Sequence, residues 1–333
     1  MAHQKTTIAD TEVFPIALGT MHFGTVIESS AAETLLDRYV ELGGDFIDTA
    51  NNYATWTPGG RGGESEQTIG RWMKRRGNRS KLFIATKVGF PVPADGAALG
   101  LTTAQIRSAC ENSLRRLGVE TIDLYYAHHD DRTTPLEEIL EAFHRLIADG
   151  KVRYVGASNY MTWRLAEAAA IAQSHCYSPF VCIQQRMSYL RPKSGADFDP
   201  QIAVNDELIE YCRAYPRFRL LAYSASLGGV YGDPSRAIPD AYRSAASETR
   251  LAELRAVARE LGATPNQVML AWLMQSEPNV IPVCGPSSRE HLEENMRAVE
   301  LELGEDALAR LSGAGVMRSR HEEAKRTKDP TAK

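Results

Sequence analysis

A chain of 333 residues can hold two ordinary domains or one α/β barrel, and 43% hydrophobic with 24% charged residues is the balance of a soluble globular enzyme. A formal net charge of −4 offers no basic field to nucleic acid or anionic lipid. No run reaches the ~20 apolar residues of a membrane helix, and the opening MAHQKTTIAD has no apolar signal region, so the cytoplasm is the expected location. Five cysteines, Cys110, Cys176, Cys182, Cys212 and Cys284, contain no CxxC pair and read as buried thiols with no metal or redox role.

From residue 13 two patterns alternate. Short apolar runs rich in Val, Ile, Leu, Phe and Tyr predict strands at Val13–Leu18, Phe46–Asp48, Leu82–Lys87, Ile122–His128, Val152–Gly156, Phe180–Gln184, Arg219–Tyr223 and Val280–Val283. Between them apolar residues recur at spacings of three and four. Ser29-Ser30 opens a helix that Gly43-Gly44 stops, Thr102 and Thr103 precede AQIRSACENSLRRLG, and Thr134-Pro135 begins LEEILEAFHRLIADG. Further helices are predicted at Met161–Ser174, Asn205–Tyr215, Thr264–Gln275 and Arg289–Leu301.

Strands alternating with helices predict parallel pairing through right-handed crossovers, and eight of them predict a closed (β/α)8 TIM barrel as a single domain. A doubly wound sheet is the competitor. Its glycine fingerprint is missing, because Leu18 to Gly24, LGTMHFG, lacks the G-x-G-x-x-G spacing.

Several pieces stand outside the repeat. Thr6 to Phe14 predicts an N-terminal β-hairpin turning at Ala9-Asp10, Glu248 to Gly262 an extra helix before the seventh barrel helix, and Glu305 to Leu311 a C-terminal helix. Residues 318–333 form a charged tail expected to be flexible. Gly- and Pro-rich loops at Ala54–Gly63, Pro91–Leu101, Arg191–Pro200 and Gly228–Ser244 follow strand ends, so a barrel gathers them on one rim as walls of a pocket.

In a barrel the polar residues that end each strand converge. Asp48 ends the second strand with Tyr53 just past it, Lys87 ends the third, His128 to Asp131 end the fourth, Ser158-Asn159 follow the fifth, Gln184 and Arg186 come from the sixth, and Tyr223-Ser224 from the seventh. An ammonium at the end of an apolar strand needs a partner, which Asp48 can provide. Beside Lys87 the Tyr53 phenol is expected to lose its proton below its usual ~10, and His128 to orient a carbonyl oxygen. These four groups suit proton transfer to an alkoxide; a structural salt bridge with a packed histidine is the plainer alternative. The run HHDD could instead serve a metal-dependent hydrolase, but neighbours on an extended chain point to opposite faces, so His128 and His129 do not easily share one pocket. Asp130 and Asp131 then read as a solvated loop.

The stretches GGDFIDTANNY, ESE at 64 to 66, IATKVGF, SLRRLGVETIDLYYAHHDD, GKVRYVGASNY, CIQQRMSYL, LAYSASLGGVY and IPVCGPSSREHLEEN, in this order, resemble the aldo-keto reductases over nearly the whole chain. The resemblance implies an acid-base tetrad of Asp48, Tyr53, Lys87 and His128, and a nicotinamide cofactor, NADPH before NADH, lying across the barrel mouth. It implies that Ser158, Asn159 and Gln184 hold the carboxamide, that Tyr223 stacks on the nicotinamide, and that Ser224, Leu227, Gly228 and Gly229 follow the pyrophosphate. Gly19, Thr20, Met21 and Gly285 are implied as further cofactor contacts, with Ser287, Ser288, Arg289, His291, Glu294 and Asn295 around the adenosine. Two departures stand out: Ala225-Ser226 where the family commonly has Pro-Leu, and Ser287-Ser288 where many NADPH-preferring relatives carry Lys or Arg, leaving Arg289 to supply that charge.

The function expected is reversible NADP(H)-dependent reduction of aldehydes or ketones to alcohols, with Tyr53 as general acid/base and no metal. The alternative is a cofactor-binding regulatory subunit of the same fold, as the potassium-channel β-subunit relatives are. Trp56, Pro58, Tyr189 and Tyr231 are candidate pocket residues, and Arg186 and Arg191 hint at polar or anionic substrates. The substrate's identity, the preferred direction and the oligomeric state are not legible from these patterns.

Overall fold

The computed structural model describes residues 5–315. A hairpin of β1 (Thr6–Ile8) and β2 (Thr11–Val13) precedes a closed barrel of eight parallel strands: β3 (Ala17–Gly19), β4 (Phe46–Asp48), β5 (Phe83–Val88), β6 (Ile122–Ala127), β7 (Val152–Ser158), β8 (Cys182–Arg186), β9 (Arg219–Tyr223) and β10 (Val280–Cys284). β10 pairs with both β9 and β3 and so closes the ring. Between the strands lie α1 (Ser29–Glu41), α2 (Glu64–Arg76), α3 (Thr103–Leu117), α4 (Leu136–Ala148), α5 (Thr162–His175), α6 (Asp206–Ala214), α8 (Pro265–Gln275) and, after β10, α9 (Arg289–Arg297). The extra helix is α7 (Ala245–Leu261), and the chain closes with α10 (Glu305–Gly313). The charged tail at 318–333 lies outside the described residues, and of the five cysteines expected to be buried, Cys176 is exposed, because it caps the C-terminus of α5.

The main departure from expectation concerns the first strand. Val13 to Leu18 is not continuous, because Pro15 has no N–H to give a ladder and the Phe14 N–H is taken by Asp45 Oδ1 at 2.7 Å. Val13 therefore belongs to the hairpin, and the barrel strand starts only at Ala17.

Two cores follow from strand alternation. Inside the barrel, Ala17, Phe46, Phe83, Ala85, Leu124, Tyr126, Cys182, Leu221 and Ile281 pack with Ile8 and Val13 of the hairpin, which seal the floor. Phe46 and Phe83 meet edge-on at 5.0 Å. Outside, the alternate residues such as Ile47, Ile84, Val88, Tyr125 and Ile183 pack under the helices. Whatever follows Phe46 by two residues, or Phe83 by four, therefore points to the barrel axis above this floor. Those residues are Asp48 and Lys87.

Tyr39 of α1 fixes where β4 begins. Its buried hydroxyl accepts from Phe46 N at 3.2 Å and lies 2.8 Å from Ile16 O and 2.9 Å from Phe46 O. Its ring fills the space in which a side chain at Gly44 would stand. Gly44→Ala is expected to lower stability by about 1–3 kcal/mol through overpacking. Gly313→Ala, where a Cβ meets nothing within 4 Å, should be close to neutral. Denaturant unfolding of the two variants checks this.

Candidate active site

Asp48, 0% exposed at the end of β4, and Lys87, 0% exposed near the end of β5, form an ion pair of 2.5 Å. An ammonium has three donors, and Lys87 uses all three: Nζ gives to Asp48 Oδ1, to Thr49 O at 2.8 Å and to the Tyr53 hydroxyl at 2.8 Å. The Tyr53 hydroxyl in turn donates to Asp48 Oδ1 over a long 3.3 Å, and Gln184 Nε2 donates to Asp48 Oδ2 at 2.8 Å. Complete hydrogen bonding is what allows a buried ion pair to persist, since either charge alone in this apolar barrel would be strongly disfavoured.

His128 follows Leu124 and Tyr126 in the inward register and stands beside Tyr53, ring centres 6.2 Å apart, with Phe90 edge-on at 4.8 Å. Its Nδ1 is buried without a hydrogen-bond partner among the described residues. Burial, reinforced by the Lys87 charge, holds its pKa well below the usual histidine value, so the ring is neutral at neutral pH.

The Tyr53 phenol behaves differently from the expectation. Burial first, and then the Asp48 carboxylate, push its pKa well above the usual value. The Lys87 ammonium is itself pulled down by burial and partly restored by Asp48. Tyr53 thus holds its proton through the neutral range, while the long bond to Asp48 leaves that proton easily redirected to a ligand oxygen.

The rest of HHDD disperses. His129 Nε2 lies 3.0 Å from Gly89 O, and Asp130 pairs with Arg164 at 3.1 Å and Arg132 at 3.0 Å. Asp131 accepts from Leu101 N, Thr133 and Thr134, which hold its carboxyl far below the ordinary range against the opposing effect of burial. The two aspartates are therefore buried anchors of the rim and not the solvated loop expected of them.

Above the four groups opens a cavity of about 940 Å³. Tyr53 and His128 line it together with Gly19, Met21, Ser158, Asn159, Gln184, Tyr223, Ser224, Gly228 and Gly285. Other expected contacts lie elsewhere. Thr20 is fully buried, bonded through N and Oγ1 to Asp48 O at 3.0 and 2.9 Å, so it supports the strand end. Leu227 is buried in the core, and Gly229 lies outside the cavity lining. Ser287, Ser288, Arg289, His291, Glu294 and Asn295 also lie beyond that lining, at and along α9. There Ser288 caps the helix by accepting from His291 N at 3.3 Å, Ser287 Oγ lies 2.9 Å from His291 Nδ1, and Arg289 pairs with Glu293 at 2.8 Å. Glu294 and Asn295 are held by Thr264 at 2.6 Å and Asn266 at 2.8 Å.

These groups suit a dinucleotide. A Cβ on Gly228 would meet nothing within 4 Å, so the backbone there is open to close approach. Gly285 leads from the cavity into the N-terminal turn of α9, whose positive dipole end favours an anion. Tyr223 offers an aromatic wall, but its hydroxyl donates to Asn159 Oδ1 at 2.7 Å, an atom that also accepts from Ile202 N at 3.1 Å. Asn159 Nδ2 meanwhile gives to His128 O at 3.0 Å. The Asn159 amide is engaged at both ends here, with the backbone at φ 59.

Of the candidate substrate residues, Trp56 lines the cavity and Pro58 does not. Tyr189 packs on Trp272 and Arg250, and the Tyr231 hydroxyl lies 2.6 Å from Ser188 Oγ, so both belong to the core. Phe90 and Phe198, not singled out from the sequence, supply aromatic wall; Phe198 falls in the Arg191–Pro200 loop already expected to form a wall. Lys87→Met would leave a buried carboxylate without its cation and should cost about 3–5 kcal/mol of stability, with the further change Asp48→Asn recovering part of it. Thermal and denaturant unfolding of single and double variants measures that coupling.

Comparison with known proteins gives the lineage. Residues 15–315 match the model of the Aldo/keto reductase family. An uncharacterised oxidoreductase of Bacillus subtilis is 33% identical over 309 residues, covering 89% of this chain and 90% of its own length. An aryl-alcohol dehydrogenase of Pestalotiopsis microspora is 31% identical over 314 residues, covering 89% of this chain and 77% of the relative. The crystal structure of a thermostable aldo-keto reductase in complex with the inhibitor epalrestat superposes with a TM-score of 0.73 at 29% identity, over 93% of this chain and 99% of that one. A barrel whose inward register carries Asp48, Lys87 and His128 to one point beside Tyr53 is thus, by descent as well as by geometry, a member of the aldo/keto reductase family.

Proposed function

We propose that the protein is an NADP(H)-dependent carbonyl reductase that acts reversibly on aldehydes or ketones, with Tyr53 as general acid. The observation that carries this reading is the Lys87 Nζ bond of 2.8 Å to the Tyr53 hydroxyl, on the floor of a cavity that His128 also faces. Bound nicotinamide would supply the hydride. Tyr53 hydrogen-bonds the substrate oxygen in place of its long contact to Asp48 and delivers the proton as negative charge develops there. Neutral His128 orients that oxygen, and Lys87, fixed by Asp48, holds the phenol and balances the charge left on it.

On this reading Ser158, Asn159 and Gln184 hold the carboxamide, with Asn159 exchanging a present partner for it and Gln184 using its free amide oxygen while Nε2 stays on Asp48. Arg289 at the start of α9, shared with Glu293, is the cation that supports NADPH over NADH, where Ser287-Ser288 supply none. Trp56, Phe90, Phe198 and Tyr223 form aromatic walls, with Pro91 and Pro93 between them, which favours flat apolar carbonyl compounds such as aromatic aldehydes. The aryl-alcohol dehydrogenase among the relatives agrees with that choice.

Tyr53→Phe should lower turnover of an aromatic aldehyde by about a hundred- to ten-thousand-fold while NADPH still binds. Ordinary turnover in that variant would remove Tyr53 from the role. The raised phenol pKa sets the pH dependence: because the acid form persists through neutrality, reduction should hold a plateau there and fall only on the alkaline side. Alcohol oxidation needs the phenolate and should climb with pH over the same range. Steady-state rates in both directions test this pair of profiles.

A further inference from the structure

Arg186 takes no part in the tetrad. It ends β8 two residues beyond Gln184, half-buried, and neutral groups hold it. Nε donates to the buried Tyr242 hydroxyl at 3.0 Å, Nη1 to Gln201 Oε1 at 2.6 Å, and Nη1 reaches Ser224 Oγ only at 3.5 Å. The guanidinium lies 4.7 Å from the centre of the Phe198 ring. Among the described residues no carboxylate pairs with it, and its Nη2 makes no hydrogen bond.

Other enclosed arginines behave differently. Arg116 sits between Glu66 and Asp95, and Arg164 between Asp130 and Glu167. Arg250 and the half-buried Arg219, like Arg186, have no acid, but their donors end on the carbonyls of Tyr189 and Ala314 and on Thr7 and Asn279, away from the cavity. Around Arg186, by contrast, Phe198, Gln201 and Ser224 are all cavity-wall residues. A half-buried cation with spare donors, one layer behind a ligand cavity, is a charge awaiting an anion.

We propose that Arg186 is the counter-charge for an anionic oxygen group of a ligand held in this cavity, phosphate or carboxylate. The inference rests on the reductase reading above. Tyr242 sets the direction of the guanidinium, and the amide of Gln201 is the contact an anion replaces. Two sources can present such oxygens: the pyrophosphate of the dinucleotide beside Ser224 and Gly228, or a carboxylate on the substrate.

The test compares wild type with Arg186→Met, Arg186→Gln and Arg186→Lys. Fluorescence titration gives Kd for NADPH and NADH, and steady-state kinetics give KM for 4-carboxybenzaldehyde and for benzaldehyde. If the anion is the pyrophosphate, both neutral variants should weaken NADPH and NADH by the same factor of about ten, with Lys restoring most of it. If it is a substrate carboxylate, cofactor binding is unmoved, and KM for 4-carboxybenzaldehyde alone should rise by about the same factor. Folded neutral variants that leave all four constants unchanged overturn the proposal. So do neutral variants that fail to fold while Arg186→Lys folds, because the charge is then structural. Wild-type protein that binds neither nucleotide would overturn the reductase reading itself, which separates the two failures.

Discussion

The site depends on one buried ammonium. Lys87 is fully enclosed, and its three donors are divided among a carboxylate, a backbone carbonyl and a phenol, so no water is needed to satisfy it. Removing any of the three acceptors leaves part of a charge unsolvated in an apolar barrel. That constraint fixes Asp48, sets where the chain must turn after β4, and holds the Tyr53 hydroxyl at the base of the cavity. If the proposed function holds, stability and chemistry draw on the same contacts here, and a change that loosens one loosens the other.

The tetrad was legible because strand periodicity is legible. Asp48, Lys87 and His128 each stand an even number of residues from an apolar inward neighbour, Phe46, Phe83 and Leu124, and a closed barrel brings even positions to one axis. The same rule foretold that His129 would turn away from His128. Tyr53 lies past the strand, where periodicity says nothing, and only its neighbours in space make it notable. The first strand was misread for a local reason: Val13 to Leu18 looks continuous by hydropathy, but Pro15 cannot pair and Asp45, 31 residues away, captures the Phe14 amide.

Side-chain partners chosen across loops were not legible. Asp130 and Asp131 look like solvent-loving turn residues, and they are buried because Arg164, Thr133, Thr134 and the Leu101 amide converge on them. Tyr189 and Tyr231 look like rim aromatics and are core. The protonation of Tyr53 went the other way from the expectation because proximity to Lys87 was weighed without the burial that the same lysine requires. A lysine close enough to stabilise a phenolate was expected to dominate; burial and the Asp48 carboxylate favour the neutral phenol instead.

The enclosure of Lys87 has a consequence for chemical labelling. Burial lowers its pKa, which in an exposed lysine would make the amine a ready nucleophile toward acylating or aldehyde reagents. Here the amine has 0% exposure, and all three of its hydrogens are already given away. An electrophilic inhibitor entering the cavity reaches the Tyr53 oxygen and the His128 ring first. The group that does most to assemble the site is the one that no reagent of ordinary size can find.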